Sequence, residues 1–462
     1  MTEDNAKKYV AELMERARKA QEIAEDFDQE KVDHLAKALV WNVIKPGTIE
    51  KISELAVEET QLGNYEGKYA KLNTKLKGAL RDMEGVKTMG VIERNEEKGL
   101  IKIAKPVGVV GAVIPTTNPE ATPVLKAIMA IKTRNAVVMS PHPRAKKTNK
   151  MIVNILRDVL KKYDVPEDLI IGIEEPTLDI TQELMKQCDL ILATGGGGLV
   201  RAAYSSGTPA YGVGQGNAVS VVDETADLKD AANKIMRSKT FDFATSCSTE
   251  NSLVVQEDIY DKLIENLKAE GGYLVNEEEK KKLQAGMWVD GHLNPEIIAQ
   301  PLNKIAKVSG LDIPEDKTFF IVEESKVGPD YPFSGEKLSV VTTIFKYKKF
   351  QDAIDRVNEI TNYQGKGHSC GIHSTDDDRI LKYALETKTS RLMVRQPQCL
   401  ANSGAWTNGM PMTLSLGCGT WGGNSSSENI IWKHLINTTW VSYPIEGSEI
   451  PNEELFGSIM NE

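Results

Sequence analysis

The sequence predicts an α/β protein in which a doubly wound, Rossmann-type parallel sheet precedes a second α/β domain and a short β tail. Three observations support this prediction. The chain of 462 residues is too long for a single hydrophobic core. From about residue 100, short apolar runs alternate with amphipathic helical segments. The apolar runs lack a polar face, which is typical of strands in a parallel sheet that is covered on both sides.

The first half of the chain begins with helices and continues with alternating strands and helices. Apolar residues recur at spacings of three and four in "AKKYVAELMERARKAQEIA" and "QEKVDHLAKALVWNVI", which predicts helices up to about residue 85. The strands predicted after them are "VGVVGAVIP", "NAVVMSP", "LIIGIE" and "LILATG". The helices predicted between these strands are "ATPVLKAIMAIKT", "TNKMIVNILRDVLKKY" and "TLDITQELMKQ".

A second α/β region begins near residue 240. Its predicted elements are "SLVVQ", "DIYDKLIENLKAEGG", "FFIVEE", "LSVVTTIFKY", "FQDAIDRVNEITN", "SCGIHS" and "RILKYALETK". The later segment "IIWKHLINTTWVSYPI" is rich in β-branched and aromatic residues, so we predict a strand there. A strand near the end of a chain often adds to the sheet edge of a partner, which predicts a homodimer or homotetramer.

Composition and charge exclude several classes of protein. The 56 basic and 66 acidic residues give a net charge of −10, which argues against a nucleic-acid partner. No apolar run approaches the roughly 18 residues of a membrane span, and the charged start of the chain lacks the apolar centre of a signal peptide. The five cysteines form no CxxC pattern, so we expect neither a disulfide framework nor a metal site. We expect a cytoplasmic protein with no membrane partner and no separate leader before the first helix.

Two glycine-rich stretches are candidate ligand loops. In "CDLILATGGGGLVRAAYSSG" a strand is followed by Gly195 to Gly198 and then by a helix, whose free N–H groups suit a phosphate. The spacing is not GxGxxG and no GxxxxGK[ST] occurs, which argues against a P-loop kinase. The second stretch, "YGVGQGN", precedes the strand "AVSVV". Each stretch is also compatible with a tight turn or a bulge that binds nothing.

Cys247 is the candidate nucleophile. It lies among hydroxyl side chains in "KTFDFATSCSTENS", whereas a structural cysteine usually has apolar neighbours. Asn118, in "VIPTTNPEATP", offers a neutral amide that can donate to an oxyanion, although an asparagine before proline is also a turn former. His368 and His373 are not spaced as a zinc pair, and we expect one of them in the cleft.

These segments together resemble the CoA-acylating branch of the aldehyde dehydrogenase superfamily. The resemblance extends from about residue 5 to about residue 440 and rests on "PTTNP", "SPHPRAKK", "ATGG", "PAYGVGQGN", "KTFD...SCSTENS", "GEKLS", "GKGHSCGIHS" and "LGCGTWGGNSSSENI". It implies an aldehyde dehydrogenase fold and the conversion of an aldehyde, CoA and NAD(P)+ to an acyl-CoA and NAD(P)H. The implied domains are a cofactor-binding domain with the amino-terminal helices (1–238), a catalytic domain (239–429), and an oligomerisation strand and tail (430–462).

The resemblance also implies roles for individual residues. Cys247 matches the nucleophile, Asn118 matches the amide that binds the oxyanion, and His368 matches a histidine linked to acyl transfer. Glu336 matches the glutamate that holds the nicotinamide ribose. The other positions that match cofactor contacts are Thr116, Ser140, Pro141, His142, Arg144, Thr194, Gly195, Gly196, Gly212, Val213 and Gly214.

The product is expected to be a thioester. Addition of Cys247 to the aldehyde and hydride transfer leave an enzyme thioester, which the CoA thiol attacks. Hydrolytic relatives activate water with a glutamate that follows the Rossmann glycines, and "AYGVGQG" has no carboxylate at that place. A hydrolytic dehydrogenase and a non-catalytic assembly protein of the same fold are the alternatives.

Departures from the family's common residues suggest a substrate. They are Gln215, Val340, the triplet Phe243-Ala244-Thr245, and Arg395. Arg395, with Gln396 and Gln398, suits an aldehyde that carries a terminal anion, because a guanidinium binds sulfonate or carboxylate oxygens in pairs. Phe243 would narrow the pocket, with Thr245 beside it. We therefore expect sulfoacetaldehyde before succinate semialdehyde and acetaldehyde, with a structural ion pair as the alternative role of Arg395.

The choice between NAD and NADP depends on one basic cluster. Arg144 and the "RAKK" run follow a predicted strand and could meet a 2′-phosphate, which favours NADP. The same residues are compatible with the solvated start of a helix. The sequence does not indicate enclosure in a protein shell or the direction of the reaction in the cell.

Overall fold

The computed structural model describes residues 3–447 and 449–462. The helices are α1 (Glu3–Ala24), α2 (Gln29–Ile44), α3 (Ile49–Thr60), α4 (Tyr65–Met83), α5 (Thr122–Lys132), α6 (Lys146–Lys162), α7 (Leu178–Gln187), α8 (Gly197–Tyr204), α9 (Leu228–Thr240), α10 (Tyr260–Ala269), α11 (Glu277–Met287), α12 (Leu302–Val308), α13 (Phe350–Tyr363), α14 (Asp377–Glu386), α15 (Gln398–Ala401) and α16 (Asn452–Phe456). None of the helices in these two ranges combines the length and the apolar composition that a membrane crossing requires.

The strands form three sheets and one short hairpin. They are β1 (Gly90–Asn95), β2 (Leu100–Pro106), β3 (Val109–Ile114), β4 (Ala136–Pro141), β5 (Ile170–Gly172), β6 (Leu190–Thr194), β7 (Ala210–Val213), β8 (Ala218–Val222), β9 (Glu250–Gln256), β10 (Gly272–Leu274), β11 (Trp288–Val289), β12 (His292–Leu293), β13 (Phe319–Glu323), β14 (Val341–Tyr347), β15 (Cys370–His373), β16 (Leu392–Val394) and β17 (Ile436–Ser442).

The four amino-terminal helices confirm the helical prediction for the first 85 residues. Asp28 begins α2 and Asn64 begins α4, because each side chain accepts a backbone N–H two or three residues into the helix. The apolar side of α1, including Val10 and Leu13, is buried in the same core as the first sheet. These helices therefore cover the first sheet, and α4 extends toward the site described below.

The first sheet confirms the Rossmann-type prediction. Its strands lie in the order β5-β4-β3-β6-β7 and every neighbouring pair is parallel. All six residues of β3 and of β4 are buried, which explains why their sequences carry no polar face. The chain leaves β3 toward β4 on one side and returns to β6 on the other. A crevice opens at such a reversal, beyond the carboxyl ends of the strands.

The second sheet contains seven parallel strands in the order β10-β13-β14-β9-β8-β15-β16. Apolar residues of β9, β13 and β14 pack with α9 and α10 in a second core. Strand β8 belongs to this sheet although it lies on the amino-terminal side of residue 238. The division of the chain at residues 238 and 429 stays a prediction.

The third sheet is antiparallel, in the order β1-β2-β17. The sequence predicted β17, and the structure confirms it as a strand that pairs with β2 of the same chain. Strands β1 and β2 were not predicted because "GVIERN" and "LIKIAKP" have no buried face and only one fully buried residue, Ala104. The oligomeric role predicted for the tail stays a prediction.

Candidate active site

A cavity of about 1010 Å³ lies where the first sheet meets the loops of the second. On one side are the carboxyl ends of the first sheet, with Thr116–Asn118, Ser140–His142 and Thr194–Gly197. On the other side are Thr245–Cys247 and Glu336. This volume is at the upper end of the range that ligand pockets occupy, so the cavity can hold a dinucleotide and a small substrate together.

The loop that carries Cys247 adopts an unusual backbone conformation. After α9 ends, Asp242, Phe243 and Ala244 have φ values of 48°, 49° and 61°. Non-glycine residues rarely adopt this left-handed region, and each such residue costs roughly 1–3 kcal/mol unless the surroundings hold it. Thr245 and Cys247, which follow these three residues, line the cavity, so the contacts that hold Asp242 also position the thiol.

Asp242 is the anchor of this loop. Its buried carboxylate accepts hydrogen bonds from the Asn64 N–H at 2.8 Å, from Lys68 Nζ at 3.0 Å and from Thr245 Oγ1 at 2.6 Å. Lys71 Nζ lies 2.6 Å from the same carboxylate. These charges outweigh burial and hold the pKa of Asp242 below its ordinary value. The start of α4 therefore fixes the position of the Cys247 loop.

Lys71 also orients Asn118. Its Nζ donates to Asn118 Oδ1 at 2.6 Å, so the amide oxygen is occupied. The Nδ2 group donates one hydrogen to Thr117 Oγ1 at 3.3 Å and keeps the second for another acceptor. Burial alone would lower the pKa of Lys71, but Asp242 and Glu120 outweigh it and raise the pKa above its ordinary value. A permanently charged Lys71 gives the Asn118 amide the orientation that an oxyanion requires.

Cys247 and His368 form a neutral pair. Cys247 Sγ lies 3.1 Å from His368 Nε2, and His368 Nδ1 lies 2.9 Å from Ser369 Oγ. Burial, with the nearby Glu336 and Cys418, raises the pKa of the Cys247 thiol. Burial also lowers the pKa of His368 to about 3. Because both charged forms are disfavoured, the resting pair is a thiol and a neutral imidazole.

The second glycine stretch packs directly against the nucleophile. A Cβ on Gly216 would lie 2.0 Å from the carbonyl oxygen of Cys247, so only glycine fits there. The Gly216 N–H donates to Glu336 Oε1 at 3.2 Å. Burial raises the pKa of Glu336 to about 8, and hydrogen bonding from Gln215 and Gly216 offsets it in part. Although "AYGVGQG" contains no carboxylate, the fold thus brings one to this loop from another part of the chain.

The first glycine stretch suits a dinucleotide. Gly196 caps the amino end of α8, and a Cβ on Gly196 or Gly198 would meet nothing within 4 Å. The first N–H groups of a helix have no partners within it, and the helix dipole favours a phosphate there. The open backbone and the adjoining cavity therefore fit the diphosphate of a nicotinamide dinucleotide.

Most of the predicted site residues line this cavity. They are Asn118, Cys247, Thr116, Ser140, Pro141, His142, Thr194, Gly195, Gly196, Val213, Gly214, Glu336, Thr245 and Gln396. His368 does not line the cavity, but its Nε2 contacts the Sγ of Cys247, which does. Gly212 lies behind the cavity wall, where its N–H donates to the hydroxyl of Tyr204. His373, at the other end of β15, is buried away from Cys247.

The structure does not bring Arg395 to the cavity, which contradicts its predicted contact with an anionic aldehyde. Arg395 follows β16, its N–H donates to Ile372 O, and its Nη1 donates to Ser374 O at 2.8 Å. These partners lie at the carboxyl end of β15, whereas His368 lies at the amino end. The alternative, a structural carboxylate partner, is also wrong within the described residues, because the partner of the guanidinium there is a backbone carbonyl.

Three more predicted contacts differ from expectation. Phe243 packs against the second core instead of narrowing the cavity. Gln398 is buried and donates to Ser220 Oγ at 2.7 Å. Arg144 donates to the carbonyl of Thr60 and does not line the cavity. It therefore does not make the predicted contact with a 2′-phosphate of NADP.

The cationic residues of the cavity were not predicted from the sequence. Lys71 and Lys75 on α4 and Arg237 on α9 line it. A signal for the lysines existed, because Lys68, Lys71 and Lys75 recur at spacings of three and four and share one helical face. Such lysines on an amphipathic helix are ordinarily solvated, and the sequence does not show that this face is buried.

Comparisons with known proteins are consistent with this geometry. A family model described as "Aldehyde dehydrogenase family" matches residues 3–291. A protein of Acholeplasma named sulfoacetaldehyde dehydrogenase is 46% identical over 459 residues, which are 98% of this chain and 94% of that protein. One of Bilophila wadsworthia named sulfoacetaldehyde dehydrogenase (acylating) is 47% identical over 455 residues, 97% of this chain and 98% of that protein. The crystal structure of an acetylating aldehyde dehydrogenase from Geobacillus thermoglucosidasius matches with a TM-score of 0.93 at 38% identity, covering 97% of this chain and 99% of that one.

Proposed function

The chain belongs to the aldehyde dehydrogenase family, and on that premise we propose that it is a CoA-acylating aldehyde dehydrogenase whose preferred substrate is sulfoacetaldehyde. The resemblance found in the sequence is confirmed by these relatives. The names of two relatives support the substrate, and the name of one of them supports the acylating reaction.

One observation carries the proposal. Cys247 Sγ lies 3.1 Å from His368 Nε2, in a cavity that it shares with the Asn118 amide and with the open glycines before α8. A sulfur nucleophile, a proton acceptor, an oxyanion donor and a dinucleotide cradle are the parts that this reaction requires.

The first chemical step uses Cys247, His368 and Asn118. The sulfur adds to the aldehyde carbon as the S–H proton passes to His368 Nε2, and the carbonyl oxygen becomes an alkoxide. The Asn118 Nδ2 donates to this alkoxide, because Lys71 already occupies Oδ1. A nicotinamide dinucleotide held in this cavity would supply the hydride acceptor. Loss of hydride from the alkoxide carbon would leave a thioester on Cys247. Because burial lowers the pKa of His368 to about 3, the imidazolium is short-lived. It releases this proton to solvent before the second step, which restores the neutral imidazole.

The second step transfers the acyl group to CoA. The CoA thiol gives its proton to neutral His368 as its sulfur attacks the thioester carbonyl, and Cys247 leaves as a thiolate that is then reprotonated. The alternative acceptor is water activated by Glu336, the acidic residue among those that line the cavity. One oxygen of Glu336 accepts the Gly216 N–H and the protonated form is favoured near neutral pH. Both features weaken Glu336 as a base for water.

We propose NAD(P)+ as the oxidant, held by the residues on the first-sheet side of the cavity. Thr194, Gly195 and Gly196 would hold the diphosphate, and Ser140 to His142 would line the adenosine side. Glu336 would hold the nicotinamide ribose. The sequence favoured NADP because of Arg144. The guanidinium of Arg144 donates to the carbonyl of Thr60, so this residue no longer supports a preference for NADP.

We also propose that the chain forms a homodimer or homotetramer through its carboxyl-terminal segment. Strand β17 is one of the two edge strands of its sheet, and Trp440 on it is 54% exposed. An edge strand with an exposed aromatic residue is a typical surface for pairing with a second copy.

The function is tested by measuring reduced nicotinamide formation with sulfoacetaldehyde, succinate semialdehyde and acetaldehyde, each with NAD+ or NADP+. We expect the rate to depend on CoA, the acyl-CoA to accumulate, and sulfoacetaldehyde to have the highest kcat/KM. Equal rates without CoA would identify a hydrolytic dehydrogenase. No reduction with any aldehyde would favour a non-catalytic protein of this fold.

A further inference from the structure

We propose that Arg237 binds the anionic end of the aldehyde and is the residue that selects a sulfonate-bearing substrate. This inference rests on the proposed function and names the contact that gives it its substrate preference. Arg237 takes the role that the sequence assigned to Arg395, which lies away from the cavity.

Among the described cations that line the cavity, Arg237 is the one whose hydrogen-bond donors have no protein partner. The charge of Lys71 is balanced by ion pairs with Asp242 and Glu120, and its Nζ also donates to Asn118. Lys75 directs its three N–H donors at the carbonyls of Leu400, Ser403 and Gly404. Either lysine would have to give up a buried partner in order to bind a substrate anion.

Arg237 differs from both lysines. Its side chain is exposed to the cavity, and no hydrogen bond or ion pair within the described part of the chain engages its guanidinium. Five N–H donors in a planar fork match two oxygens of a sulfonate or a carboxylate at once. An arginine that lines a pocket without a protein partner therefore points to an anionic ligand.

Arg237 lies on the same segment of the chain as the nucleophile. Arg237 lies in the last turn of α9, and Phe241, the first residue after that helix, also lines the cavity. Thr245 and Cys247 follow in turn and also line the cavity. One segment of the chain, from Arg237 to Cys247, therefore brings both a cation and the reacting sulfur to the lining of the cavity.

Neighbouring contacts hold the end of α9 in place. The Cys399 N–H donates to Ser238 Oγ at 3.0 Å, and Cys399 Sγ donates to the carbonyl of Ser238. These bonds join α15 to the turn that carries Arg237. Trp406 and Leu400, which follow α15 or lie in it, add apolar lining that suits the methylene group of a short aldehyde.

The charge of the cavity also favours an anion on this wall. Glu336 is the acidic residue among the described residues that line it, and it is tied to Gly216 beside the proposed nicotinamide site. No carboxylate of the lining set therefore stands between Arg237 and the substrate.

The test compares Arg237→Gln and Arg237→Lys with the wild type on sulfoacetaldehyde and on acetaldehyde, which lacks the sulfonate. We expect Arg237→Gln to lower kcat/KM for sulfoacetaldehyde by about 10-fold to 150-fold, mainly through KM, and to leave acetaldehyde unchanged. Arg237→Lys should restore part of the loss, because it keeps the charge without the fork. The matched control is Arg94→Gln, an exposed arginine on β1 outside the cavity. Arg395→Gln should leave the preference unchanged.

A second measurement does not depend on turnover. Ethanesulfonate should slow alkylation of Cys247 by iodoacetamide in the wild type and in Arg94→Gln, and should not do so in Arg237→Gln. Equal losses on both aldehydes, or equal protection of all variants, would overturn the role of Arg237. If the wild type turns over no aldehyde yet ethanesulfonate protects Cys247 through Arg237, the proposed function fails and the anion site stands.

Discussion

Replacement of Lys71 by methionine should separate the orientation of the oxyanion donor from the stability of the fold. Methionine keeps most of the length of the lysine stem and removes its charge. The Asn118 Oδ1 then loses a hydrogen bond of 2.6 Å, and the amide is free to turn its Nδ2 away from the reacting oxygen. The buried carboxylates of Asp242 and Glu120 also lose their closest cation.

The expected magnitudes follow from these contacts. Breaking a buried ion pair by removing one partner costs about 3–5 kcal/mol of unfolding free energy. Removal of one oxyanion donor lowers kcat by about 10²-fold to 10³-fold, which is the expected effect of Asn118→Ala. Lys71→Met keeps the amide but not its orientation, so we expect a fall in kcat of at least about tenfold.

Lys68→Met is the matched control. Lys68 binds the same Asp242 carboxylate at 3.0 Å, but its other hydrogen bond goes to the carbonyl of Thr117 and not to Asn118. Burial lowers the pKa of Lys68. Its Nζ also lies farther than that of Lys71 from both carboxylates, so its loss should destabilise the fold less. Because Lys68 does not contact the Asn118 amide, we expect Lys68→Met to lower kcat clearly less than Lys71→Met does.

The assay combines urea denaturation with steady-state kinetics on the four variants Lys71→Met, Lys68→Met, Asn118→Ala and the double variant Lys71→Met with Asn118→Ala. Because both single changes act through one amide, the double variant should be no slower than Asn118→Ala alone. The reasoning is refuted if Lys71→Met and Lys68→Met have the same kcat, or if the two single effects add fully.

Three further predictions concern the thiol, the glycine beside it and the cofactor. Because burial raises the pKa of Cys247, its alkylation rate should rise about tenfold per pH unit from about pH 7 to about pH 9, and a plateau in that interval would contradict a neutral thiol. Gly216→Ala should abolish turnover, because its Cβ would lie 2.0 Å from the Cys247 carbonyl oxygen. The control Gly409→Ala should be active, because a Cβ there meets nothing within 4 Å. Arg144→Gln should leave the ratio of kcat/KM for NADP+ and NAD+ unchanged, and a large fall in that ratio would restore the predicted phosphate contact.

The parts of the fold that the sequence predicted have strong local signals. Strands β3, β4 and β6 are almost fully buried, so each is a continuous apolar run. Helix α6 has one clearly apolar face. Because parallel strands end at the same edge, the order of strands and loops along the chain is enough to place Asn118 and Gly195 at one crevice.

The parts that the sequence did not predict depend on contacts between distant segments. Asn118 is oriented by Lys71, which Asp242 in turn holds, and these three residues come from different elements. Arg395 and Gln396 are adjacent in the sequence and follow β16. Gln396 lines the cavity, whereas the guanidinium of Arg395 donates to the carbonyl of Ser374. Local residue types do not reveal which side of such a turn faces a ligand.

The central claim is that Cys247 forms an acyl thioester that a thiol, and not water, resolves. It is tested most directly by mass spectrometry of the peptide that contains Cys247, after single turnover with sulfoacetaldehyde and oxidised cofactor, before and after CoA is added. The account predicts an acyl adduct on Cys247 that persists without CoA and disappears with CoA as an equal amount of acyl-CoA forms. An adduct that decays to free acid at the same rate with or without CoA, or that forms on another cysteine, would contradict it.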